Sequence, residues 1–342
     1  MDGMIPVAAA LIAFVATALS GKIVIPILRK LKYGQTILEI GPKWHKKKQG
    51  IPTMGGIMFI IGIIIAVAAA FAIAPIINAA GLMNESSASE NIIPFISGIG
   101  LALGMGAIGF IDDYIKVVKK RNLGLSARQK TMLQLIVAVA YLISIYMGGM
   151  TYTKIPFIGT LDVSSGIGLV FWPIALIFIY GFVNAVNLTD GIDGLASSVT
   201  FVVAAFFMVL SIFQSRYGFN MLSAALAGGC VGFLVWNMNP AKVFMGDTGS
   251  MFLGGMVVAL SFGSGYPILL FLSGIIYLVE AMSVVIQVTY YKRTKKRLFK
   301  MSPIHHHFEM SGWSENKIVL VFSMVTVVGS LIAFLLYMLG AR

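Results

Sequence analysis

The chain has 342 residues, of which 58% are hydrophobic and 11% are charged, against roughly 25% charged residues in a typical soluble domain. This composition excludes a disordered chain, a collagen, a coiled coil and a secreted disulfide scaffold, and the single cysteine excludes an intrachain disulfide. The formal net charge of +12 suits anchoring loops or anionic substrates at a membrane, and we expect no nucleic-acid partner.

Long apolar runs recur along the chain, and each approximates the ~20 residues that a helix needs to cross a bilayer. Because backbone groups cannot stay unpaired in lipid, the runs predict an all-α, polytopic membrane bundle, with residues 1–342 as a single domain. The first run lacks a basic leader, so we expect it to be retained. The ten expected spans are roughly 5–28, 51–75, 92–111, 131–149, 168–186, 196–214, 220–237, 249–263, 266–289 and 318–339.

The distribution of basic residues predicts which side of the membrane each loop faces. Most Lys and Arg residues fall in the odd-numbered loops, so these loops are expected in the cytoplasm and both termini outside. Five of the seven aspartates and all four histidines fall at the same cytoplasmic ends, which predicts a functional site there. The expected active-site loops lie near 29–50, 112–130, 187–195, 237–249 and 290–317.

Two adjacent carboxylates, Asp112 and Asp113, close the third span. Adjacent carboxylates repel each other, and a divalent cation or a shared proton would relieve that repulsion. The pair therefore favours metal, acid–base or phosphate chemistry. The structural alternative is a solvated helix end that Lys116 and Lys119 balance.

The loop Asn187–Ala196 joins the fifth and sixth spans and carries Asn187, Thr189, Asp190 and Asp193. Oxygen ligands of this kind suit Mg²⁺, although the spacing is not that of an EF-hand. The two glycines of the loop permit a tight turn. The interpretation as a binding loop competes with a turn that only caps two helices.

The segment Asn237–Ser250 precedes the eighth span and contains Phe244, Gly246 and Asp247. Free backbone N–H groups at the helix start form a ready anion site. Asp247 could supply a hard metal ligand beside that anion, and Phe244 an aromatic face for a flat base. An N-cap with a membrane-anchoring Phe is the alternative interpretation.

Two further motifs carry cationic or imidazole groups. His305, His306 and His307 could donate to phosphate or ligate zinc, but three consecutive histidines cannot all point inward from one helix face. A solvated loop facing lipid headgroups is the alternative. Lys46–Gly56 combines lysines, which could be simple membrane anchors, with Thr53 and a glycine pair that could approach a ligand.

Two signals carry less weight. Gly104–Gly109 matches a dinucleotide fingerprint but lies within an apolar span, so it favours close helix packing. Glu280 lies within the ninth span, where it could take part in a proton path or pair with a polar group of a neighbouring helix.

Taken together, the motifs resemble the signatures of the polyprenyl-phosphate hexosamine-1-phosphate transferase superfamily over essentially the whole chain. The triple-His segment resembles the muramoyl-pentapeptide branch rather than the GlcNAc-1-phosphate branch. The five matching segments are Gly-Ile-Pro-Thr-Met-Gly-Gly (50–56), Asp-Asp-Tyr (112–114), Asn-Leu-Thr-Asp-Gly-Ile-Asp-Gly (187–194), Phe-Met-Gly-Asp-Thr-Gly-Ser (244–250) and Pro-Ile-His-His-His-Phe-Glu (303–309).

The resemblance implies a single catalytic domain with ten spans and both termini outside, forming a homodimer in the bacterial cytoplasmic membrane. It implies Mg²⁺-dependent transfer of phospho-MurNAc-pentapeptide from UDP-MurNAc-pentapeptide to undecaprenyl phosphate, which yields lipid I and UMP. The rival within the superfamily is a UDP-GlcNAc:polyprenyl-phosphate GlcNAc-1-phosphate transferase. An ion-coupled transporter would need charges at mid-bilayer and two matching halves, which the sequence does not offer.

The resemblance and the residue types together suggest roles. We expect Asp247 to bind Mg²⁺, Asp113 to support the metal or the lipid phosphate, and Asp112 to orient or deprotonate that phosphate. Lys130 and His307 are expected to contact phosphate groups. Direct attack by the lipid phosphate is favoured over a phospho-aspartate, because the acceptor is already an anionic oxygen nucleophile. The other expected substrate contacts are Lys48, Thr53, Asn187, Asp190, Asp193, Asn237, Phe244, Gly246, Gln287, His305 and His306.

Overall fold

The computed structural model describes residues 3–31, 48–77, 79, 81, 82, 84, 89–118 and 123–340. Much of the first basic loop, with His45, Lys46 and Lys47, lies outside the described residues, as does Lys119 in the third loop. The expectations for those residues therefore remain predictions.

The described residues form a bundle of long helices and one short hairpin. The long helices are α1 (Met4–Lys30), α2 (Gly56–Ile73), α3 (Ser89–Val118), α4 (Ala127–Met147), α5 (Phe171–Thr189), α6 (Leu195–Phe213), α7 (Tyr217–Asn237), α8 (Gly246–Gly263), α10 (Ile275–Thr294) and α12 (Glu315–Gly340). Shorter elements are α9 (Leu270–Ser273), α11 (Ile304–Glu309), strands β1 (Tyr152–Ile155) and β2 (Gly159–Asp162), and 3-10 turns at Gly166–Val170 and Pro267–Leu269.

Each of the ten expected spans coincides with helix. Among the described residues, eight helices are long and apolar enough to cross a membrane, and the pair Pro267–Ser273 and Ile275–Thr294, bent by 77°, makes a ninth if it is one span. The remaining expected span is α8, an 18-residue helix whose first turn is polar. The prediction of a polytopic helical membrane protein is therefore confirmed at this level.

Helices α7 and α8 form the centre of the bundle. Every residue of α8 from Thr248 to Gly263 is buried, and so is every residue of α7 from Gly218 to Cys230. A helix that is buried on every side contacts other helices in all directions, so it lies inside the bundle. α8 therefore serves as the axis around which the other helices pack.

Small residues bring α3 against α8, the most extensive helix pair in the described part of the chain. A Cβ atom on Gly109 would overlap the backbone carbonyl of Asp247, and one on Gly255 would lie 2.6 Å from the Cα of Ala102. Such close backbone approach is typical of small-residue interfaces in membrane bundles. The expectation that Gly104–Gly109 serves packing fits this geometry, and the approach brings Asp112 and Asp113 beside Asp247.

The hairpin lies at the opposite end of α8 from Asp247. β1 and β2 are antiparallel, with Tyr152 opposite Asp162. The backbone N–H of Lys154 donates to Gly265 just beyond α8 (2.9 Å), and that of Phe157 donates to Gly340 at the end of α12 (3.2 Å). The hairpin thus joins the ends of two helices about 27 Å, the length of α8, from the aspartates.

The close approach at Gly109 yields a stability prediction. We expect Gly109→Ala to lower the stability by about 1–3 kcal/mol, because the added methyl group meets backbone that cannot swing aside. Gly100→Ala on the same helix meets no atom within 4 Å and should be neutral or stabilising by up to about 1 kcal/mol. Thermal unfolding in detergent measures both, and equal melting temperatures for the two variants would contradict this account of the α3–α8 contact.

Candidate active site

Three carboxylates from two helices meet at one end of the bundle. Asp112 and Asp113 lie near the end of α3, and Asp247 lies in the first turn of α8. One oxygen of each lies within 4.8 Å of the others. The side chains on α3 are almost fully buried, at 3% exposure each. We call these three residues the carboxylate cluster.

Two lysines compensate part of the negative charge of the carboxylate cluster. The Nζ of Lys116 lies 2.6 Å from Asp112 Oδ2 and 3.0 Å from Asp247 Oδ2, and the Nζ of Lys130 lies 2.8 Å from Asp247 Oδ2. Lys116 follows Asp112 by one helical turn, the spacing at which two helical side chains meet. Sequence reasoning treated Lys116 only as a balance for a solvated helix end, whereas the structure places its ammonium among three carboxylates.

Hydrogen bonds fix the direction of each carboxylate. Asp113 Oδ2 accepts from the backbone N–H of Thr248 (2.9 Å) and from its hydroxyl (2.8 Å). Asp112 Oδ1 accepts from the N–H of Leu125 (2.7 Å), and Asp247 Oδ1 accepts from Asn187 Nδ2 (3.0 Å). Charged acceptors held by several donors change direction little, so the cluster is preorganised.

The start of α8 adds a further electrostatic contribution. Gly246 has a φ of +70°, and a Cβ there would lie 2.5 Å from Asp113 Oδ2 and 2.7 Å from Thr53 Oγ1. Only glycine combines this backbone conformation with this lack of space. Asp247 follows Gly246 in the first turn of α8, at the positive end of the helix dipole, where a negative charge or an anion is stabilised.

Residues 51–56 run alongside residues 243–246. The N–H of Phe244 donates to the carbonyl of Pro52 (2.8 Å). The N–H of Gly55 donates to the carbonyl of Phe244 (2.8 Å), and the N–H of Gly56 donates to the carbonyl of Met245 (3.0 Å). This pairing places Thr53 beside the carboxylate cluster, because Thr53 Oγ1 and Asp113 Oδ2 both border Gly246. Phe244 is partly exposed, three residues before Asp247. The two motifs, distant in sequence, form one wall of the site.

A second network surrounds residues 190–194, which we call the aspartate turn. Lys48 Nζ lies 2.7 Å from Asp193 Oδ1 and 2.7 Å from Glu315 Oε1. Asp193 Oδ2 also accepts from Asn239 Nδ2 (3.1 Å) and from the N–H of Ala241 (2.9 Å). Lys48 and Asp193 were both expected at the site, but sequence reasoning missed Glu315, since a Glu at a helix start gives no signal beyond capping.

Two more predicted residues belong to this network. Asn237 accepts from the N–H of Gly194 (3.0 Å) and donates to the carbonyl of Val243 (2.9 Å), which ties the aspartate turn to the segment before α8. Desolvation raises the pKa of Asp190 well above its ordinary value, and the charges of Asp247, Asp113 and Asp193 raise it further. A cation or a cationic ligand nearby would favour the ionised form of Asp190.

The three histidines contact different partners. His305 is fully buried with its Nδ1 3.0 Å from Glu280 Oε2, and His306 Nδ1 lies 2.6 Å from Glu309 Oε2. His307 Nδ1 accepts from the N–H of Lys300 (3.1 Å). The hydrogen bonds of His307 among the described residues are thus with its own segment and the preceding loop rather than with the carboxylate cluster.

Gln287 also contacts that preceding loop. Its Oε1 accepts from the N–H groups of Leu298 (3.0 Å) and Phe299 (2.9 Å), and its Nε2 donates to the carbonyl of Phe299 (3.1 Å). These bonds hold the loop between α10 and α11. The predicted contact of Gln287 with a nucleotide stays a prediction.

The carboxylate cluster also borders an exposed apolar surface of α3. Phe110 and Tyr114 flank the aspartates on the chain, are 40% and 46% exposed, and stack with ring centroids 6.0 Å apart. An aromatic pair of this kind suits the membrane interface, where one face meets hydrocarbon and the other water. Charged and apolar surfaces therefore meet at the same helix end.

The arrangement suits the chemistry of phosphate groups. Three carboxylate oxygen donors close together match the preference of Mg²⁺. Lysines and a helix start beside them can neutralise phosphate oxygens. The residues that could hold such a metal are Asp112, Asp113 and Asp247.

Comparison with known proteins places the chain in a family. The model of Glycosyl transferase family 4 matches residues 95–265, and the Phospho-N-acetylmuramoyl-pentapeptide-transferase signature 1 matches residues 48–60. Relatives with that transferase name from Acetivibrio thermocellus and Carboxydothermus hydrogenoformans are each 45% identical, covering 95% and 96% of this chain and 93% and 97% of the relatives. One from Bacillus subtilis is 44% identical over 91% of each chain. The chain belongs to the phospho-N-acetylmuramoyl-pentapeptide-transferase family.

Proposed function

We propose that the chain transfers phospho-MurNAc-pentapeptide from UDP-MurNAc-pentapeptide to undecaprenyl phosphate and releases UMP and lipid I. The observation that carries this proposal is the similarity to transferases of that name over almost the whole chain. The carboxylate cluster and its lysines supply the groups that this reaction needs to bind a metal and phosphates. The alternative, GlcNAc-1-phosphate transfer, lacks a comparable observation.

The proposed enzyme spans the bacterial inner membrane ten times, with both termini outside. The count adds α8 to the spans that length and composition support. The excess of lysine and arginine in the odd-numbered loops favours a cytoplasmic position for the carboxylate cluster. We also propose a homodimer, which rests on the family resemblance alone.

We propose that Asp247 and Asp113 hold a Mg²⁺ ion, with Asp112 beside them. The donor set fits, since hard oxygen ligands from separate helices converge within 4.8 Å. When bound, the ion neutralises the phosphates and holds the diphosphate in place. Lys116 and Lys130 add positive charge beside the cluster, so the repulsion between two anionic substrates falls further.

The other residues divide between the two substrates. Asp112 orients or deprotonates the lipid phosphate, and Lys130 contacts a phosphate group. The nucleotide lies along the aspartate turn, and Phe244 stacks on the uracil. The remaining proposed substrate contacts are Lys48, Thr53, Asn187, Asp190, Asp193, Asn237, Gly246, Gln287, His306 and His307. His305, also expected from the sequence to contact substrate, is fully buried beneath Gly191, so we propose that it acts through the aspartate turn instead.

The transfer proceeds by direct attack. An oxygen of undecaprenyl phosphate forms a bond to the sugar-bearing phosphorus of the donor, and the bond from that phosphorus to UMP breaks. The acceptor oxygen is already anionic, so an aspartate nucleophile would add a step without supplying a better nucleophile.

Purified protein incubated with UDP-MurNAc-pentapeptide and undecaprenyl phosphate should release UMP. A chelator should abolish the release, because without the metal the phosphates lose their neutralising charge. Added Mg²⁺ should restore the release. A parallel reaction with UDP-GlcNAc measures donor choice. If UMP is released from UDP-GlcNAc but not from UDP-MurNAc-pentapeptide, the proposed function is wrong and the alternative replaces it.

Asp247→Asn should lower turnover by at least about 100-fold while leaving the fold intact, since it removes a charge on which the metal and phosphates depend. Mg²⁺ should raise the melting temperature of the unmodified protein but not that of the variant, because only a bound ligand stabilises. Asp162→Asn, an exposed carboxylate on the hairpin, is the matched control and should retain full activity. Normal turnover of Asp247→Asn at saturating Mg²⁺ would show the metal assignment to be wrong.

Direct attack predicts that no covalent phosphosugar forms without the lipid acceptor. Intact-protein mass spectrometry after incubation with donor and Mg²⁺ alone should give the unmodified mass. The same sample should release UMP once acceptor is added, which shows that the enzyme was active. A mass increase that maps to Asp112 or Asp113 would favour the phospho-enzyme route.

A further inference from the structure

A fully buried acid–imidazole pair joins α10 to α11. Glu280 and His305 are both 0% exposed, and His305 Nδ1 lies 3.0 Å from Glu280 Oε2. Glu280 is the sixth residue of α10, and His305 is the second residue of the short helix α11. Burying a charged or strongly polar pair costs desolvation free energy. An apolar contact between these helices would avoid that cost.

The pair is also incompletely satisfied. Among the described residues, Glu280 Oε1 and His305 Nε2 are buried polar atoms without a hydrogen-bond partner. Two such atoms on one pair raise its cost further, since each has lost its hydrogen bonds to water. A pair maintained at that cost is more consistent with a functional role than with packing.

His305 supports the aspartate turn from below. A Cβ atom on Gly191 would overlap His305 Nε2 and Cε1, so the turn rests directly on the edge of the ring that carries the unpartnered nitrogen. The acidic residues of the turn are Asp190 and Asp193, and Lys48 holds Asp193. Rotation of the imidazole would therefore shift the turn.

We propose that Glu280 is a positioning residue that acts through His305. Its carboxylate accepts a hydrogen bond from the Nδ1–H group of His305, fixes the ring in one tautomer and orientation, and presents Nε2 to the aspartate turn. A carboxylate that orients a functional imidazole in this way is a recurring arrangement in proteins. This inference deepens the proposed function and rests on it for the part that concerns activity.

The tautomer can be tested without substrates. The chain has four histidines, so solid-state ¹⁵N spectra of histidine-labelled protein in lipid vesicles are simple, and the signals missing in His305→Phe identify His305. We expect protonated, hydrogen-bonded Nδ1 in the unmodified protein and altered His305 signals in Glu280→Gln. An unprotonated Nδ1 in the unmodified protein, or identical signals in Glu280→Gln, would overturn the inference.

A double-mutant cycle tests whether Glu280 acts through the ring. Glu280→Gln keeps the shape of the side chain and should lower kcat/KM by about ten-fold or more, a loss comparable to that from removing partners of other functional imidazoles. In a His305→Phe background the same change should cost less than about two-fold. Equal losses in both backgrounds would mean that Glu280 has a separate structural role, and the inference would be wrong.

Controls separate the possible failures. Ser283→Ala removes a buried hydroxyl that bonds to the Glu280 carbonyl (2.7 Å), so it should keep activity within about two-fold if only the carboxylate matters. Melting temperatures confirm folding, and UMP affinity by calorimetry replaces kcat/KM for any variant with no measurable turnover. If the unmodified protein transfers neither sugar phosphate, the proposed function fails while the spectra still decide the tautomer.

Discussion

The close contact between α3 and α8 brings like charges together at the candidate site. Gly109 lets the two backbones touch, and Asp112 and Asp113 therefore lie beside Asp247. Three carboxylates in this space would repel each other without compensation. Lys116, Lys130 and the start of α8 supply that compensation. The close packing of the two helices therefore depends on the electrostatics of the site.

The surrounding loops hold the site through polar contacts rather than through a large apolar core. Lys48 and Glu315 hold the aspartate turn from one side, Asn237 and Asn239 from another, and the imidazole of His305 from a third. These residues lie far apart in the sequence. A turn that is fixed from three directions can present its polar groups to a ligand without first paying the entropy of ordering them.

Composition was enough to predict the membrane bundle, and the motifs named many of the residues that meet at the candidate site. The apolar runs located the helices, because a bilayer demands long apolar segments, and the polar residues at their ends located the carboxylate cluster and the aspartate turn. The meeting of Asp112 and Asp113 with Asp247 was expected, but the other contacts between distant segments could not be predicted. Nothing in the spacing indicates that Glu315 meets Lys48, that Lys116 bridges both helices, or that His305 turns towards Glu280 rather than outward. Such contacts depend on how the helices cross, which one sequence does not encode in any local pattern.

The exposed rings of Phe110 and Tyr114 bear on how the proposed substrates and products reach and leave the site. In the proposed membrane orientation they lie at the edge where hydrocarbon gives way to the charged site. The proposed acceptor and product are both amphiphiles with long tails. Each can therefore enter and depart sideways within the leaflet, by diffusion in two dimensions, while its head group alone crosses the aromatic border. Only the sugar nucleotide and the released mononucleotide need to exchange with the aqueous phase.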